Sequence, residues 1–424
     1  MLQIPKLKER SFLVYGLGLS GLSVIKFFKK NNIKNYKVWD DKHKNLFKTH
    51  RAKNLNQTLR RVDFIVLAPG ISLLKNKDLK KFEKKIITDI DLFYLLNNNC
   101  KTLVVTGTNG KSTTCKLLEH LLKKNRFKCL LGGNIGYPIL DIKISKNTYV
   151  IIEASSFQLS HSKFICPDFA FFLNLTNDHL DWHGSMSNYL NSKLKIFSLQ
   201  SYNQYSFVNK KIKKKLKKKF LSKFIIPKKQ EFIKIKHKIK NSYLKSNTYN
   251  ENMSFVHAFA KIIKINENSF ISAMNSFKGL PHRFEFFYKR KNVNFINDSK
   301  ATSFAAASSA LSSLRNIYWI LGGLPKKNDS IKIDKYKKNI KKCYLIGKNI
   351  NFFKNQIKNK LDFSVTIDLK NSIIQILKDI KFDKNPKKFI LLSPAAASYD
   401  QFSNFEKRGE IFKKISKFYG RKLI

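Results

Sequence analysis

Residues 104–113, VVTGTNGKST, contain the pattern that decides the fold of this chain. A β-branched run leads into a turn with two glycines, and a lysine and hydroxyl side chains then begin an amphipathic segment. Glycines let backbone N–H groups approach phosphate oxygens, and a helix N-terminus adds partial positive charge. Lys111 is placed to reach the β- and γ-phosphates, and Ser112 to hold Mg²⁺. The stretch therefore predicts a site for ATP or GTP.

The spacing of this loop indicates a specific subtype. Only two residues separate Gly107 from Gly110, whereas the standard phosphate-binding loop has four residues between its glycines. The alternative is an ordinary Gly/Asn turn before a helix. That alternative requires the strand, the loop, the Lys-Ser-Thr run and the helix to coincide by chance, so we favour a compressed phosphate-binding loop.

Composition indicates a soluble globular chain. Its 424 residues are enough for roughly two to four domains, and 43% of them are hydrophobic. No uninterrupted apolar stretch approaches the roughly 20 residues of a membrane span, and the first ten residues lack an apolar signal segment. The five cysteines are scattered without CxxC pairs, which predicts reduced thiols. We expect a cytoplasmic protein that does not bind membranes.

The net charge of +55 suggests nucleic acid as a partner, but a second explanation competes with it. Lys, Asn, Ile and Phe are abundant while Arg, Ala, Gly and Pro are scarce, as expected if an AT-rich genome biases codon choice. The densest run, KKIKKKLKKK at 210–219, would form a helix with one narrow apolar stripe. It lies within a lysine-rich, weakly periodic segment, residues 201–250. We expect no specific nucleic-acid partner.

Short apolar runs typical of strands alternate with helical periodicity along the chain. Predicted strands cover 12–15, 36–39, 64–67, 103–106, 149–153, 295–297, 318–321, 343–346 and 389–392. Glycine turns follow three of them, at Gly16, Gly107 and Gly322. We therefore predict an α/β protein with three nucleotide-fold-like units and boundaries near Asp91 and Gly279.

A second glycine pattern, GxGxxG at 16–21, follows the first predicted strand. Asp40 ends the next strand about 20 residues later, which by itself favours a dinucleotide site and an NAD-dependent dehydrogenase. The same turn can bind any diphosphate. Since a dehydrogenase does not account for residues 107–113, two different nucleotides are indicated.

Polar residues follow several other strands, where ligands of open α/β folds bind. Glu153 could complete a Mg²⁺ shell, and residues 177–183, NDHLDWH, offer oxygen and nitrogen ligands. Arg283 follows a rigid turn and could clamp a phosphoryl group. Residues 297–302 and 393–402 also leave strands with hydroxyl and charged groups. Each fragment alone is more often a surface residue or a helix cap than a functional site. Their joint placement at the predicted carboxyl ends of strands is what indicates a site.

Together these segments resemble the Mur ligase family over nearly the whole chain. The family's ATP loop resembles residues 106–113, which explains the short spacing. Residues 279–285, 298–302 and 391–409 resemble stretches specific to one member, and LLSPAAASYDQFSNFEKRG is the most discriminating of them. That member joins D-glutamate to UDP-N-acetylmuramoyl-L-alanine in the synthesis of peptidoglycan precursors.

The resemblance implies three domains: an N-terminal Rossmann-like domain for the UDP-sugar at 1–91, a central P-loop ATPase with a mostly parallel sheet at 92–279, and a C-terminal Rossmann-like amino-acid domain at 280–424. It implies ATP-driven amide formation through an acyl phosphate, with ATP and two Mg²⁺ ions as cofactors and a monomeric enzyme. The rival within this class is a ligase for another amino acid, either of the Mur type or similar to folylpolyglutamate ligases.

Site residues follow from the same resemblance. The catalytic residues would be Lys111, His179 and Lys193, and the metal ligands Ser112, Glu153, His179 and Lys193, the last after reaction with CO₂ to form a carbamate. ATP would contact Gly107, Thr108, Asn109, Gly110, Lys111, Ser112, Thr113, Asn252, Arg283 and Asp298. The UDP-substrate would contact Leu19, Ser20, Asp40, Lys42, Gly70 and Asn134, and D-glutamate would contact Lys300, Thr302, Lys326, Ser398 and Phe405.

The chain departs from the family pattern in two segments. Where the family has His-Asn and a later Asn near adenine, residues 248–252 read TYNEN, and only Asn252 remains in register. On the uracil side residues 40–42 read DDK, where the family usually has a hydroxyl residue and an arginine. These positions predict altered base contacts but leave the phosphate chemistry intact.

Overall fold

A computed structural model describes residues 4–43, 45–96, 100–241, 243–326 and 329–423. These residues form three sheets flanked by helices. The strands are β1 Phe12–Tyr15, β2 Tyr36–Trp39, β3 Phe64–Leu67, β4 Ile86–Ile87, β5 Cys100–Thr106, β6 Cys129–Gly133, β7 Thr148–Glu153, β8 Phe169–Phe172, β9 Tyr205–Val208, β10 Lys223–Ile225, β11 Glu285–Arg290, β12 Val293–Asn297, β13 Ile317–Gly322, β14 Ile340–Ile346, β15 Phe363–Ile367 and β16 Lys388–Leu392.

The helices alternate with these strands. They are α1 Ile4–Lys8, α2 Leu19–Lys30, α3 Leu55–Arg61, α4 Lys77–Lys81, α5 Asp89–Leu95, α6 Lys111–Lys124, α7 Ser156–His161, α8 Leu180–His183, α9 Met186–Leu194, α10 Lys210–Lys215, α11 Lys229–Lys236, α12 Asn250–Ile262, α13 Glu267–Asn275, α14 Phe304–Ser313, α15 Ile350–Ile357, α16 Leu369–Ile380 and α17 Phe405–Leu423. No helix in the described ranges has the length and apolar character needed to span a bilayer.

The first two sheets are parallel throughout. The first has the order β2-β1-β3-β4 and the second β10-β9-β8-β5-β7-β6, so β5 lies between β8 and β7. Val104, Ile152 and Phe172 belong to one buried cluster on the second sheet. Because parallel strands end at the same edge, the residues after β5, β7 and β8 are brought together there.

The third sheet is mixed. Its order is β11-β12-β16-β13-β14-β15, and only β11 runs antiparallel to its neighbour among the described strands. Phe295, Ile320 and Ile390 are fully buried in its core. The alternation of strands and helices around largely parallel sheets confirms the predicted α/β class.

The described chain divides into two compact units. Unit 1 comprises residues 1–238 and 251–274, and unit 2 comprises residues 239–250 and 275–424. Unit 1 contains the first two sheets, and unit 2 contains the third.

The lysine-rich segment after residue 201 is more ordered than its sequence indicates. It contributes strands β9 and β10, and the Asn209 side chain caps α10 by accepting from the Ile212 N–H. The helix considered for 210–219 ends at Lys215, where Leu216 takes an extended backbone (ψ 108°). Like charges one turn apart destabilise a longer helix, and only Ile212 supplies a fully buried anchor.

Candidate active site

The loop after β5 has the geometry of a phosphate cradle. Gly107 (φ +155°) and Gly110 (φ +81°) both have positive φ, and α6 begins immediately afterwards at Lys111. A Cβ built on Gly110 would lie 2.4 Å from Nδ2 of Asn252. Backbone conformation and space therefore both require glycine at position 110.

Residues after β8 hold the loop in place. The Thr108 N–H donates to the carbonyl oxygen of Asn174 (3.0 Å), and the Asn109 N–H donates to the Asn174 side-chain oxygen (2.9 Å). Thr176 N–H donates to Oγ1 of Thr108 (3.0 Å). The loop is thus preorganised by a residue, Asn174, that sequence reasoning missed. Its position directly after the strand paired with β5 was the available signal.

Asn252 fixes the other side of the same loop. Its Nδ2 donates to the Gly110 carbonyl oxygen (3.1 Å) and to Oγ1 of Thr114 (2.9 Å). Lys111 Nζ lies within the loop and donates to the carbonyl oxygens of Gly107 (2.8 Å) and Thr108 (2.9 Å). An ammonium group is therefore held at the centre of the cradle.

A second lysine lies beneath the loop. Lys193, on α9, is 1% exposed, and its Nζ lies 3.0 Å from the Gly107 carbonyl oxygen and 3.3 Å from Oγ1 of Thr106. The Tyr189 ring lies under the amine, with its centroid 4.7 Å away, and the Tyr189 hydroxyl is 3.1 Å from Oγ1 of Thr108. Tyr189 was not predicted, although its spacing of four residues from Lys193 places both on one face of a helix.

Burial strongly affects the protonation of Lys193. Desolvation, reinforced by the nearby Lys111 ammonium, lowers the pKa of Lys193 well below its usual value, and Asp178 opposes this only in part. A buried lysine of this kind holds its amine neutral more readily than a surface lysine. Only a neutral amine has the lone pair that reacts with CO₂.

Glu153 ends β7 next to the loop-bearing strand, in register with Val105 of β5. It is 2% exposed. Oε1 accepts from Nδ2 of Asn134 (2.9 Å), whereas the buried Oε2 has no hydrogen-bond partner in the described part of the chain. A buried carboxylate oxygen without a donor is costly unless a cation approaches it. This oxygen is therefore suited to a metal ion.

The two histidines of the 177–183 segment differ in their surroundings. The His179 backbone is left-handed (φ +55°), its side chain is 40% exposed, and its Nε2 lies 3.5 Å from Asp178. His183 is buried, and its Nε2 lies 3.0 Å from Oγ of Ser156. Burial, with smaller contributions from Lys193 and His179, lowers the pKa of His183 to about 4. His179 is thus the more exposed of the two histidines.

The donors in this region fit Mg²⁺. Mg²⁺ prefers oxygen ligands and usually binds through one or two carboxylates plus phosphates and waters. Glu153 supplies such a carboxylate, and Ser112 is buried at the start of α6. The described residues contain no cluster of three or more His, Cys, Asp or Glu side chains of the kind that encloses a metal completely. One carboxylate and one hydroxyl near a phosphate cradle are donors that suit a metal shared with a nucleotide.

The edge of the first sheet is organised by Asp40. Its Oδ2 accepts from the Leu17 N–H (2.7 Å), and its Oδ1 accepts from the N–H groups of Lys42 and His43 (2.8 Å each). Burial acts to raise the pKa of Asp40, but these donors outweigh it and lower the pKa to about 2. The carboxylate is thus engaged by backbone, which argues against the ribose-binding role that the dehydrogenase alternative requires.

The other residues predicted for the UDP-substrate lie in unit 1. Leu19 begins α2 and is 81% exposed, with Ser20 beside it. Gly70 follows β3 in an exposed turn, and Asn134 follows β6, bound to Glu153. All of them follow the carboxyl ends of parallel strands, where ligands of open α/β folds bind.

In unit 2, Asp298 is half-buried directly after β12. It accepts from Oγ of Ser393 (2.8 Å) and from the Phe284 N–H (3.1 Å). Burial raises the pKa of Asp298 to about 7, although these hydrogen bonds and the nearby Arg283 oppose the shift. The structure thus brings Asp298 close enough to Arg283 for the two charges to interact.

The five residues predicted for the amino acid also lie in unit 2. Lys300 and Thr302 follow β12, and the Lys300 ammonium lies 4.5 Å from the centroid of the Phe405 ring at the start of α17. Lys326 follows β13, and Ser398, which is buried, follows β16. The loops after β13 and β16 are joined by two backbone hydrogen bonds of 2.9 Å between Leu324 and Ala397.

Sequence comparison identifies relatives over almost the full length. Residues 105–275 match the family model described as the Mur ligase middle domain. The chain is 37% identical to the UDP-N-acetylmuramoylalanine--D-glutamate ligase of Rickettsia bellii, covering 96% of this chain and 97% of that protein. It is 34% identical to the protein of the same name from Buchnera aphidicola subsp. Schizaphis graminum, covering 96% and 98%.

Comparison with solved structures supports the fold. The MurF ligase from Thermotoga maritima in complex with ADP has a TM-score of 0.57 at 16% identity, covering 99% of this chain and 98% of that one. The UDP-N-acetylmuramate-alanine ligase MurC from the same organism has a TM-score of 0.55 at 13% identity, covering 97% and 100%. Escherichia coli FolC in complex with ADP has a TM-score of 0.52 at 14% identity, covering 78% and 92%.

Proposed function

The chain belongs to the Mur ligase family, and we propose that it joins D-glutamate to UDP-N-acetylmuramoyl-L-alanine in an ATP-dependent reaction of peptidoglycan precursor synthesis. At the candidate site, one observation supports this proposal. The buried amine of Lys193, which favours its uncharged form, lies against Gly107 of a compressed phosphate loop. The strand paired with the loop-bearing strand ends at Glu153, whose buried Oε2 has no donor among the described residues. A phosphate-binding loop with a buried amine and a buried carboxylate on neighbouring elements is suited to transfer of a phosphoryl group.

The reaction proceeds in two steps. The carboxylate of the L-alanyl group attacks the γ-phosphorus of ATP, and the bond from that phosphorus to the ADP oxygen breaks, which gives an acyl phosphate. The amine of D-glutamate then attacks the acyl carbon, loses a proton and expels inorganic phosphate as the amide forms. Such chemistry depends on positioning and on stabilising negative charge.

The loop residues carry out this positioning. N–H groups at the start of α6 bind phosphate oxygens, and Lys111 neutralises charge on the β- and γ-phosphates. Lys111 moves only from the carbonyl oxygens of Gly107 and Thr108 onto phosphate, so its side chain is already in place. Asn252 keeps the Gly110 turn in its left-handed form while the nucleotide binds.

We propose two Mg²⁺ ions, held by Ser112, Glu153, His179 and a carbamylated Lys193. When bound, Mg²⁺ stabilises negative charge on the transferring phosphoryl group. Carbamylation converts Lys193 from a buried amine into an anion, which balances divalent cations near Glu153. The low proton affinity of the buried amine favours that modification.

The remaining assignments follow the family motifs. We propose that Leu19, Ser20, Asp40, Lys42, Gly70 and Asn134 bind the UDP-substrate. Gly107 to Thr113, Asn252, Arg283 and Asp298 bind ATP. Lys300, Thr302, Lys326, Ser398 and Phe405 bind D-glutamate. Asp40 acts through the backbone amides that it holds, since its own oxygens are engaged.

We propose domain ranges of 1–91, 92–279 and 280–424, because each contains one complete sheet. We also propose a cytoplasmic monomer that uses ATP as its co-substrate, since all of the proposed site residues lie in one chain.

Phosphate release tests the function. Purified protein with Mg²⁺, ATP and UDP-N-acetylmuramoyl-L-alanine should release phosphate steadily only when D-glutamate is added. Stimulation by L-alanine or meso-diaminopimelate in place of D-glutamate would reject this assignment and favour the rival ligase for another amino acid.

A further inference from the structure

Arg408, on the first turn of α17, is one of the largest fully buried side chains and is 1% exposed. Its Nε donates to Oγ of Ser299 (3.0 Å), and its Nη2 donates to the carbonyl oxygens of Ser299 (2.7 Å) and Ala396 (3.0 Å). These acceptors are uncharged. A fully buried guanidinium bound to neutral oxygens is unusual, because arginine is rarely buried without an anionic partner.

The groups to which Arg408 donates belong to the loops that carry the residues proposed to bind D-glutamate. The carbonyl of Ser299 belongs to the peptide that precedes Lys300, and Ala396 lies two residues before Ser398. Oγ of Ser299 in turn donates to the Phe405 carbonyl oxygen (2.8 Å). One side chain thus joins the loops after β12 and β16 to the start of α17.

The loop after β13 lies against the same guanidinium. A Cβ built on Gly323 would be 3.3 Å from Nη1 of Arg408 and 2.3 Å from the Ala397 carbonyl oxygen. This loop leads directly to Lys326. All the segments that carry the proposed D-glutamate residues therefore meet at Arg408.

The charge of Arg408 is not neutralised by a hydrogen-bonded carboxylate in the described parts of the chain. Burial lowers the pKa of Arg408 to about 10, and Asp400 opposes that shift only through space. Oδ2 of Asp400 instead accepts from the Lys348 N–H (3.1 Å). Even with this shift the guanidinium stays protonated at neutral pH, so it contributes a positive potential beneath the loops.

We propose that Arg408 is the positioning residue of the amino-acid site, where its buried guanidinium fixes the loops after β12, β13 and β16 and its charge favours a dicarboxylic amino acid. This inference rests on the proposed function and deepens it. Lys300 and Lys326 touch the amino acid, whereas Arg408 acts through the backbone that presents them. D-Glutamate, with two carboxylates, gains more from the added positive potential than D-glutamine, which has one carboxylate and nearly the same shape.

Two variants separate the positioning role from the charge. Arg408→Met removes the charge and the hydrogen bonds at similar volume, and Arg408→Lys keeps the charge but loses the planar fork. With Arg408→Met, KM for D-glutamate should rise by about tenfold or more, since charged hydrogen bonds are lost beneath the loops. The ratio of kcat/KM for D-glutamate to that for D-glutamine should fall. Arg408→Lys should raise KM for D-glutamate but keep most of that ratio.

The first half of the reaction distinguishes a positioning role from a general structural role. A variant with a general structural defect would lose this half-reaction, whereas a variant altered only at the amino-acid site would keep it. Without amino acid, the acyl phosphate formed from ATP and the UDP-substrate can be trapped by hydroxylamine as a hydroxamate. Its rate should match the wild type in both variants. The proposal would be overturned if hydroxamate formation and the full reaction were lost in parallel. It would also be overturned if the ratio of kcat/KM for D-glutamate to that for D-glutamine were unchanged in Arg408→Met.

The arginine experiment is interpretable even if the methionine variant does not fold. In that case Arg408→Lys decides: an unchanged KM for D-glutamate would overturn the positioning role, and a raised KM with normal hydroxamate formation would support it. Wild-type protein that forms hydroxamate but does not use D-glutamate would instead contradict the proposed function itself.

Discussion

Nζ of Lys193 lies 3.0 Å from the carbonyl oxygen of Gly107, so a fully buried amine is in direct contact with the first glycine of the phosphate loop. Two lysines, one from α6 and one from α9, donate to that same carbonyl oxygen. Mutual repulsion and burial make it costly for both to be charged. The proposed conversion of Lys193 into a carbamate would remove this cost and supply an anion for Mg²⁺.

Lys193→Ala should lower kcat by about a hundredfold, as expected when a group that stabilises charge at the reacting phosphate is removed. Wild-type protein incubated with ¹³C-bicarbonate should show a carbamate signal in its ¹³C NMR spectrum, and the variant should lack it. Lys211→Ala, which removes an exposed lysine of α10, is the matched control and should retain both the signal and the activity. An active Lys193→Ala enzyme would refute this role.

Glu153→Gln should have opposite effects on stability and on metal binding. Without metal the variant should be at least as stable as the wild type, because a buried carboxylate oxygen without a donor is removed. The Mg²⁺ concentration for half-maximal activity should nevertheless rise by about tenfold or more, because a charged ligand is lost. Thermal unfolding with and without Mg²⁺, together with a Mg²⁺ titration of activity, measures both effects.

Glu119→Gln is the control for that experiment. Glu119 lies on α6 and is paired with Lys116 and Lys123 on the helix surface. Its replacement should leave the Mg²⁺ dependence unchanged. If Glu153→Gln also left it unchanged, Glu153 would not be a metal ligand.

Gly110→Ala should destabilise the protein and raise KM for ATP. The left-handed backbone costs a residue with a Cβ about 1–2 kcal/mol, and here the new Cβ would also meet Asn252 at 2.4 Å. Gly18→Ala is the stability control, because Gly18 has a negative φ (−72°) and no atom lies within 4 Å of the position that its Cβ would take. Equal unfolding midpoints for the two variants would contradict the geometry of the loop.

Asp298→Asn should change how stability depends on pH. Burial raises the pKa of Asp298 to about 7, above its ordinary value of 3.8, so between those values the folded state holds a proton that the unfolded state has lost. The contribution of Asp298 to stability therefore falls as pH rises through 7. Relative to the wild type, the variant should gain stability between pH 5 and pH 8, by about 3 kcal/mol at most, because each pH unit between 5 and 7 contributes about 1.4 kcal/mol.

Denaturant unfolding at the two pH values tests this difference. Titration of the buried histidines is common to both proteins and cancels in the comparison. A stability difference that is the same at both pH values would show that Asp298 is ionised throughout.

The sheet framework could be predicted from short apolar runs. The bounds of β1, β2 and β3 agree with the sequence prediction, because each is a four-residue run between polar turns. Strands β9 and β10 were missed because lysines surround them and dilute the alternation. The antiparallel strand β11 was also missed, since half of its side chains are exposed and the other half are only partly buried.

The site was predictable only in part. A phosphate-binding loop consists of consecutive residues, so the pattern of residues 106–113 is sufficient to predict phosphate binding. The burial of Lys193 is not local, because it depends on α9 packing beneath a loop more than 80 residues earlier in the chain. For the same reason neither the donor-free oxygen of Glu153 nor the network of Arg408 is visible in the sequence. Residue type indicates what a group can do, whereas tertiary packing decides its charge.

The most direct test of the central claim is a competition experiment read by mass spectrometry. The protein is incubated with Mg²⁺, ATP, UDP-N-acetylmuramoyl-L-alanine and an equimolar mixture of D-glutamate, L-glutamate, L-alanine and meso-diaminopimelate. We expect one new product, heavier than the UDP-substrate by a glutamyl residue, which disappears when D-glutamate alone is left out. A product that carries another amino acid, or a glutamyl product that persists without D-glutamate, would contradict this claim.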